Sequence, residues 1–168
     1  MERLAAELLR HHAWATATLI DHCSRLPPEA LQGQVPGTYG SVIATLRHLV
    51  GADERYLDVL EGAPFREDLM ETAAALDLEA LRRLNDEHRE RWQRLVEAGV
   101  EAERPLGRRR PDGGEHKITA RTLYVQAVHH GNDHRAHVCT ILGAFGFEVP
   151  DLDAWAFYGE ALRPLRTS

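Results

Sequence analysis

The stretch TARTLYVQAVHHGNDHRAHVCTIL, residues 119–142, decides how this chain is expected to fold. Its apolar residues recur every three or four positions, which predicts a helix that turns one apolar face towards a core. The helix should begin at Thr119 and run to about Leu142, because Gly143 follows. Four of the chain's ten histidines lie within it. The apolar face includes Ala127, Val138 and Ile141.

The same spacing predicts two long helices in the first third of the chain. One includes residues 4–19 and should end near Ser24, because the Pro-Pro pair that follows cannot continue a helix. A loop over residues 25–40 separates it from the second helix, which begins after an N-cap at Ser41 and reaches Leu60. Both helices are amphipathic, so both should bury one face.

A third long helix should follow after a long connection. Residues 63–76 are too many for a hairpin between neighbouring helices, so this segment is expected to cross one end of a bundle. Asp77 caps the third helix and Gly99 ends it. The Pro- and Gly-rich interval 101–117 contains a strong turn signal, which favours a small ribbon and places His116 in a loop.

The chain ends with a short helix, capped by Asp151 or Asp153 and extending through Tyr158. Four main helices without a convincing pair of long strands predict the all-α class. The expected architecture is a four-helix bundle with a long crossover between helices 2 and 3 and a short C-terminal helix. The 168 residues fit a single domain, residues 1–168, that can bury its own core.

Composition and charge exclude several classes of partner. The formal net charge is -6, so the overall field repels phosphate backbones and anionic membranes, and we expect neither nucleic acid nor membrane as a partner. No apolar run approaches the roughly 18 residues that cross a bilayer. Two cysteines, Cys23 and Cys139, and the lack of a signal-peptide pattern indicate a reducing cytoplasm with both thiols free.

Two of the histidines have the spacing of metal ligands. His130 and His134 are four residues apart, so their Cβ atoms should lie about 5–6 Å apart on one helical face. That face is apolar, and an imidazole buried there needs a partner for each ring nitrogen. A metal ion satisfies one nitrogen of each ring; ordinary hydrogen bonds and exposure to solvent are the alternatives.

His48 is the best candidate for a third ligand from another helix. His88 has polar neighbours, and the histidines of the first helix are less well placed, although the spacing leaves His12 open. The small and apolar companions of His48 on its face are Thr45, Ala52 and Tyr56.

The residues around these histidines have ordinary expectations. Trp14, Tyr56 and Trp92 should belong to the core, and Trp14 and Tyr56 could also line a metal cavity. Arg135 follows the last candidate ligand, so it should leave the core face, and Asp133 is expected to be solvated.

Three segments carry a resemblance to a known family: LRHLVGADERYL at residues 46–57, HKITARTLYVQAVHHGNDHRAHVCTILGAFG at 116–146 and PDLDAW at 150–155. In this order, and over nearly the whole chain, the sequence resembles the DinB/YfiT-like family of metalloenzymes, which is distinct from the DNA polymerase that shares the DinB name. The specific part is a histidine on the second helix followed by a His-Gly-x-x-His-Arg group on the fourth. By this resemblance the three metal ligands are His48, His130 and His134.

The chain departs from the family at His137, where similar members often have glutamine. This residue lies about one turn beyond His134 on the same helical face. As a fourth nitrogen ligand it would close the metal site, whereas a ring that donates to a ligand or faces solvent would leave a position open for water or substrate. We favour a role other than ligand.

The resemblance also implies a cofactor and an activity. Three neutral imidazoles do not choose among zinc, nickel, copper and ferrous iron, but in this family one divalent ion, usually nickel or zinc, is expected. Such an ion can lower the pKa of a bound water or thiol. Because characterised relatives include thiol S-transferases that use bacillithiol or mycothiol, we expect transfer of a low-molecular-weight thiol to an electrophilic small molecule, by a homodimer.

Two other functions fit the same candidate site. A metal-dependent hydrolase would turn over esters, amides or lactones without added thiol. A non-catalytic metal-binding module, acting in a stress response, would use the ion to tie the second and fourth helices together.

Overall fold

The structure, a computed structural model, describes residues 2–63, 75–99, 101–109 and 115–161. It confirms the all-α class and the four-helix bundle with a short C-terminal helix. None of the helices within the described ranges combines the length and the apolar composition needed to cross a membrane. The helices are α1 Glu2–Cys23, α2 Val42–Glu61, α3 Leu78–Glu97, α4 Ala120–Ala144 and α5 Ala154–Ala161, with a 3₁₀ turn Pro28–Gln32 and two strands, β1 Pro105–Arg109 and β2 Glu115–Thr119.

The helix ends follow the capping residues of the sequence. The side chains of Ser41, Asp77 and Asp153 each accept a hydrogen bond from the backbone N–H three residues further on, at 3.3, 2.8 and 2.8 Å. Gly62 ends α2 with a left-handed backbone, φ 78°, which a residue without a Cβ adopts without strain. Thr119 precedes α4 as predicted, but its hydroxyl makes no capping bond.

The packing order of the helices matches the predicted crossover. α1 packs against α3 and α4, and α2 packs against the same two helices. α2 and α3 run in the same direction, so α2 ends and α3 begins at opposite ends of the bundle. Residues 64–74 of the crossover itself lie outside the described residues. The contacts that fix this direction, in order along both helices, are Arg47 with the Leu76 carbonyl, Glu54 with His88, and Asp58 with Arg91.

A small ribbon leads into α4. β1 and β2 pair antiparallel, with Pro105 opposite Thr119, as the turn signal of this interval favours. His116 was expected in a loop, but its backbone belongs to β2 and pairs with Arg108. The pairing of β1 and β2 extends as far as Arg109 and Glu115, and residue preferences alone do not reveal this extent.

Two apolar clusters fill the ends of the bundle, and a buried polar layer separates them. Along α1, α3 and α4 the polar residues of this layer lie between the residues of the two clusters, whereas Asp53 of α2 directly follows Ala52 of the second cluster. The first cluster includes Leu19, Ile20, Val42, Leu46, Leu81 and Ile141. The second includes Leu9, Leu57, Leu60, Trp92, Leu123 and Ala127. The buried polar layer comprises His12, Thr16, Asp53, Asn85, His88, His134 and Arg135.

The two cysteines are part of the packing of the first cluster. Cys23 is fully buried, Cys139 is half-buried, and both are free thiols. Burial raises the pKa of Cys23 to about 12, so the group is a protonated thiol at neutral pH. A thiol of this kind packs as a small apolar side chain.

Candidate metal centre

Three histidines from two helices meet at the edge of the polar layer, which His134 joins. His48 comes from α2, and His130 and His134 come from successive turns of α4. One ring nitrogen from each lies within 4.8 Å of the others, and the three could hold a metal ion. The Nε2 atoms of His48 and His130 are 3.0 Å apart. The structure therefore brings together all three candidate ligands that the sequence indicated.

The local sequence explains why these rings converge. Thr45 and Ala52, one turn before and after His48, are fully buried, so this face of α2 points into the bundle. On α4, Ala127 and Val138 are fully buried on the stripe that carries His130 and His134. Because α2 packs directly against α4, the two faces meet. The small side chains around the rings leave them the space to turn towards one another.

Burial keeps the three rings neutral. The pKa of His130 is lowered to about 4, first by burial and then by like-charge repulsion from the neighbouring His134 and His48. The pKa of His134 also falls to about 4, first from burial and then from His48 and His137. The pKa of His48 is lowered by burial and by the charge of Arg55. A metal binds neutral imidazole, so the rings are in the required state at neutral pH without having to lose a proton.

The hydrogen-bonding state of the rings fits a bound cation. Three imidazole nitrogens that face one another cannot all be satisfied by one another, because a neutral ring has one donor and one acceptor. Nδ1 of His48, His130 and His134 is buried in each case without a hydrogen-bond partner among the described residues, and in His48 and His130 it lies opposite the converging Nε2. A cation between the rings would satisfy the converging lone pairs and leave each Nδ1–H as a donor.

Two tyrosines form walls of this three-histidine group. Tyr39, in the loop before α2, stacks on His48 with ring centroids 4.1 Å apart and meets His134 edge-on at 5.0 Å. It is 49% exposed, so its ring lies between the histidines and solvent. Tyr56 lies edge-on to His130, with ring centroids 6.0 Å apart. Tyr56 was expected as a possible wall residue, whereas no spacing signal in the loop indicated Tyr39.

Trp14 packs against the C-terminal helix, and its role as a wall of the metal cavity stays a prediction. Its ring packs against Phe157 of α5, with ring centroids 5.2 Å apart, and against His11 at 5.7 Å. The side chain of Trp14 faces the C-terminal helix, because His12 and Ala13 occupy the positions of this part of α1 that face the bundle interior. Trp92, in contrast, is almost fully buried in the second apolar cluster, as expected.

His137 lies beside the three-histidine group without belonging to it. Its ring centroid is 5.3 Å from that of His134, and its ring nitrogens are not among those that lie within 4.8 Å of one another. A role other than ligand stays a prediction for this residue.

Arg135 contradicts its expected orientation. It is 3% exposed instead of leaving the core face, and its guanidinium donates to Nδ1 of His12 at 3.2 Å, to Oγ1 of Thr16 at 3.0 Å and to Oδ1 of Asn132 at 2.6 Å. The expectation assumed a single apolar core, but the polar layer supplies acceptors for a buried cation. Asp133 is exposed, 3.6 Å from the exposed His129, as a solvated carboxylate should be.

Two further histidines of the polar layer pair with carboxylates. Nε2 of His12 donates to Oδ2 of Asp53 at 2.5 Å, and Nε2 of His88 donates to Oε2 of Glu54 at 2.5 Å. Both histidines are almost completely buried. His12, which the spacing left open, thus has a carboxylate partner and does not join the three-histidine group.

The fold and this group define a class of protein: a helical bundle whose second and fourth helices present three histidines able to hold a metal ion. A family model, described as the DinB family, matches residues 1–162, so the chain belongs to the DinB family. The chain is also similar to Protein DinB of Bacillus subtilis (strain 168), with 24% identity over 159 residues that cover 91% of this chain and 92% of that protein. The resemblance that the sequence motifs carried is thereby confirmed.

Proposed function

We propose that this protein is a metal-dependent enzyme that transfers a low-molecular-weight thiol to an electrophilic small molecule. His48, His130 and His134 are the three ligands of one divalent ion, nickel or zinc. The observation that carries the proposal is the convergence of three neutral ring nitrogens within 4.8 Å from two packed helices. Three protein ligands leave a coordination position for a substrate, as in catalytic rather than structural sites.

The chain's own residues would bind and orient the reactants. When bound, the divalent ion supplies Lewis acidity, which lowers the pKa of a thiol at the open position. The packed helices α2 and α4 position the three rings. Tyr39 borders the group on the solvent side and offers an aromatic face against which an electrophile can pack.

The reaction forms a carbon–sulfur bond and breaks the S–H bond of the thiol and the bond from that carbon to the leaving group. The thiol sulfur attacks the electrophilic carbon, the thiol proton passes to solvent, and the leaving group departs with its bonding electron pair. This chemistry needs no general base next to the ligands once the thiol pKa is lowered. The three-histidine group contains no aspartate or glutamate within the described residues, which is compatible with such a reaction.

The decisive experiment combines metal analysis with a conjugation assay. Protein purified without a histidine tag is analysed for bound metal, loaded with nickel or zinc, and mixed with monochlorobimane and bacillithiol, mycothiol or glutathione in turn. His134→Ala should abolish metal-dependent conjugation. His129→Ala is the matched control, because its side chain is 68% exposed on the same helix. The absence of metal-dependent conjugation with every thiol would refute the transfer activity.

The same preparation separates the two alternative functions. A metal-dependent hydrolase would cleave test esters, amides or lactones without added thiol. A non-catalytic metal-binding module would turn over none of these substrates, yet removal of the ion with a chelator would lower its melting temperature sharply. The small-molecule substrate, the homodimer and the cytoplasmic location belong to the proposal, and sedimentation analysis measures the oligomeric state directly.

A further inference from the structure

A buried carboxylate next to the three-histidine group has one oxygen without a partner. Asp53 of α2 is 1% exposed. Its Oδ2 accepts the hydrogen bond from Nε2 of His12, but its Oδ1 is buried and has no hydrogen-bond partner among the described residues. An unsatisfied oxygen of an ionised group is costly to bury. Oδ1 of Asp53 can therefore accept a further hydrogen bond.

The tautomer of His12 determines which of its ring nitrogens donates to Asp53. Nη1 of Arg135 donates to Nδ1 of His12 at 3.2 Å, so this ring nitrogen is an acceptor. The proton of the neutral ring is then on Nε2, where it is donated to Asp53. Arg135, His12 and Asp53 form a buried chain in which a cation and an anion compensate each other through a neutral ring.

This chain lies directly against the α4 turn that carries His130. The backbone of Gly131, the next residue, packs so closely on His12 that a Cβ atom there would lie less than 3.0 Å from its ring. His130 also has a buried ring nitrogen, Nδ1, without a hydrogen-bond partner among the described residues. The negative charge of Asp53 acts on this ring and raises its pKa, against the larger lowering by burial.

We propose that Asp53 is a positioning residue for the candidate ligand His130: with the ion on Nε2, Nδ1–H of His130 donates to Oδ1 of Asp53. This inference rests on the proposed metal site. One hydrogen bond satisfies both unpartnered atoms, and the chain from Arg135 through His12 holds the carboxylate in place. A carboxylate that accepts from a ligating imidazole orients the ring and increases its basicity, and its loss lowers metal affinity about 10- to 100-fold.

Asp53→Asn tests this role with the least change in shape. The asparagine oxygen can still accept from Nε2 of His12, which leaves the NH₂ group, a donor, facing His130. If the amide in Asp53→Asn were rotated by 180°, its NH₂ group would face Nε2–H of His12, and two donors would meet. The hydrogen bond from Arg135 keeps the proton of His12 on Nε2, so this orientation is unfavourable. Zinc affinity, measured by competition with a chromophoric chelator, should fall about 10- to 100-fold.

Glu54→Gln is the matched control. Glu54 is the next residue of α2 and also accepts from a buried histidine, His88, at 2.5 Å. Its variant therefore removes a carboxylate of the same kind from the other side of the helix, and zinc affinity should stay within about twofold of wild type. Equal affinities of wild type, Asp53→Asn and Glu54→Gln would overturn the inference.

A spectroscopic measurement on the wild-type protein tests the same hydrogen bond and does not depend on whether a variant folds. In zinc-loaded protein with ¹⁵N-labelled histidine, Nδ1–H of His130 should give a downfield, slowly exchanging proton resonance, assigned through cross-peaks to its own ring. A rapidly exchanging Nδ1–H in protein that binds zinc would overturn the role of Asp53 and leave the metal site standing. If wild type binds no zinc or nickel, the proposed function fails, and this inference fails with it.

Discussion

Nε2 of His48 and Nε2 of His130 lie 3.0 Å apart, although 82 positions separate the two residues and each belongs to a different helix. Two neutral rings can share a single proton at this distance, but the third ring, His134, then presents its own nitrogen to the same space. Because the three rings cannot provide hydrogen bonds for all of their facing nitrogens, the group is well suited to bind a cation.

The first prediction concerns how many histidines bind the ion. His48→Ala and His130→Ala should each lose stoichiometric metal, because two imidazoles rarely hold a divalent ion in competition with a chelator. His137→Ala should retain one ion per chain, since its ring lies outside the converging group. Elemental analysis of tag-free protein after gel filtration with a weak chelator provides the measurement. Loss of the ion in His137→Ala would make that residue a fourth ligand.

The second prediction follows from the lowered pKa values of His130 and His134. In the unfolded chain these rings take up protons below their ordinary pKa of 6.5, while in the folded protein they stay neutral down to about pH 4. Between these values the unfolded state binds more protons, so the free energy of unfolding of metal-free protein should decrease as the pH falls from about 6.5 to about 4. Below that range the contribution of these rings levels off.

Urea unfolding in the presence of a chelator, repeated across this pH range, measures the slope. The double variant His130→Gln, His134→Gln should show a shallower dependence on pH than wild type, because two of the titrating groups are gone. His129→Gln should keep the wild-type slope, since that side chain is 68% exposed. Identical slopes for all three proteins would contradict the buried, neutral state of the two rings.

The sequence predicted the features that depend on local spacing. Helix ends at Ser41, Asp77 and Asp153 were predictable because a capping side chain acts within three residues of itself. The pair His130 and His134 was predictable for the same reason, since four residues make about one helical turn.

Features that depend on contacts between helices were not predictable in this way. Arg135 was expected outside the core, because a helical pattern distinguishes apolar from polar faces but does not reveal a buried polar layer. Its partner His12 lies 123 positions away on α1. Tyr39 belongs to a loop, where no periodicity exists to place its ring over His48.

The third prediction concerns the glycine within the motif His-Gly-x-x-His. A Cβ at Gly131 would lie less than 3.0 Å from the His12 ring and 2.8 Å from Nη1 of Arg135. Gly131→Ala should therefore lower the free energy of unfolding by about 1–3 kcal/mol, the usual cost of overpacking. Chemical denaturation measures the change.

Gly143→Ala is the control for Gly131→Ala on the same helix. A Cβ at Gly143 would meet its nearest neighbour, a Val149 methyl, at 3.8 Å, which is ordinary contact. The variant should be neutral or more stable by up to about 1 kcal/mol, because alanine favours a helix over glycine. If both alanine variants were equally stable, the close approach of His12 to α4 would be wrong.

The fourth prediction concerns the ion-pair network on the opposite side of α2 from the three-histidine group. Arg91 of α3 is within 3.0 Å of a carboxylate oxygen of Glu54, Asp58 and Glu61, and only 14% of its side chain is exposed. Arg91→Met keeps the apolar stem but removes the charge, which leaves three neighbouring carboxylates repelling one another. The free energy of unfolding should fall by about 3 kcal/mol, the lower end of what breaking a buried pair costs. In Arg94→Met, which removes an arginine that is 63% exposed and 3.9 Å from Glu90, the free energy of unfolding should fall by less than about 1 kcal/mol.

Zinc affinity should be unchanged in both variants, because neither arginine contacts the three histidines. A large loss of zinc affinity in Arg91→Met, with the fold intact by circular dichroism, would show instead that the ion-pair network and the three-histidine group are energetically coupled.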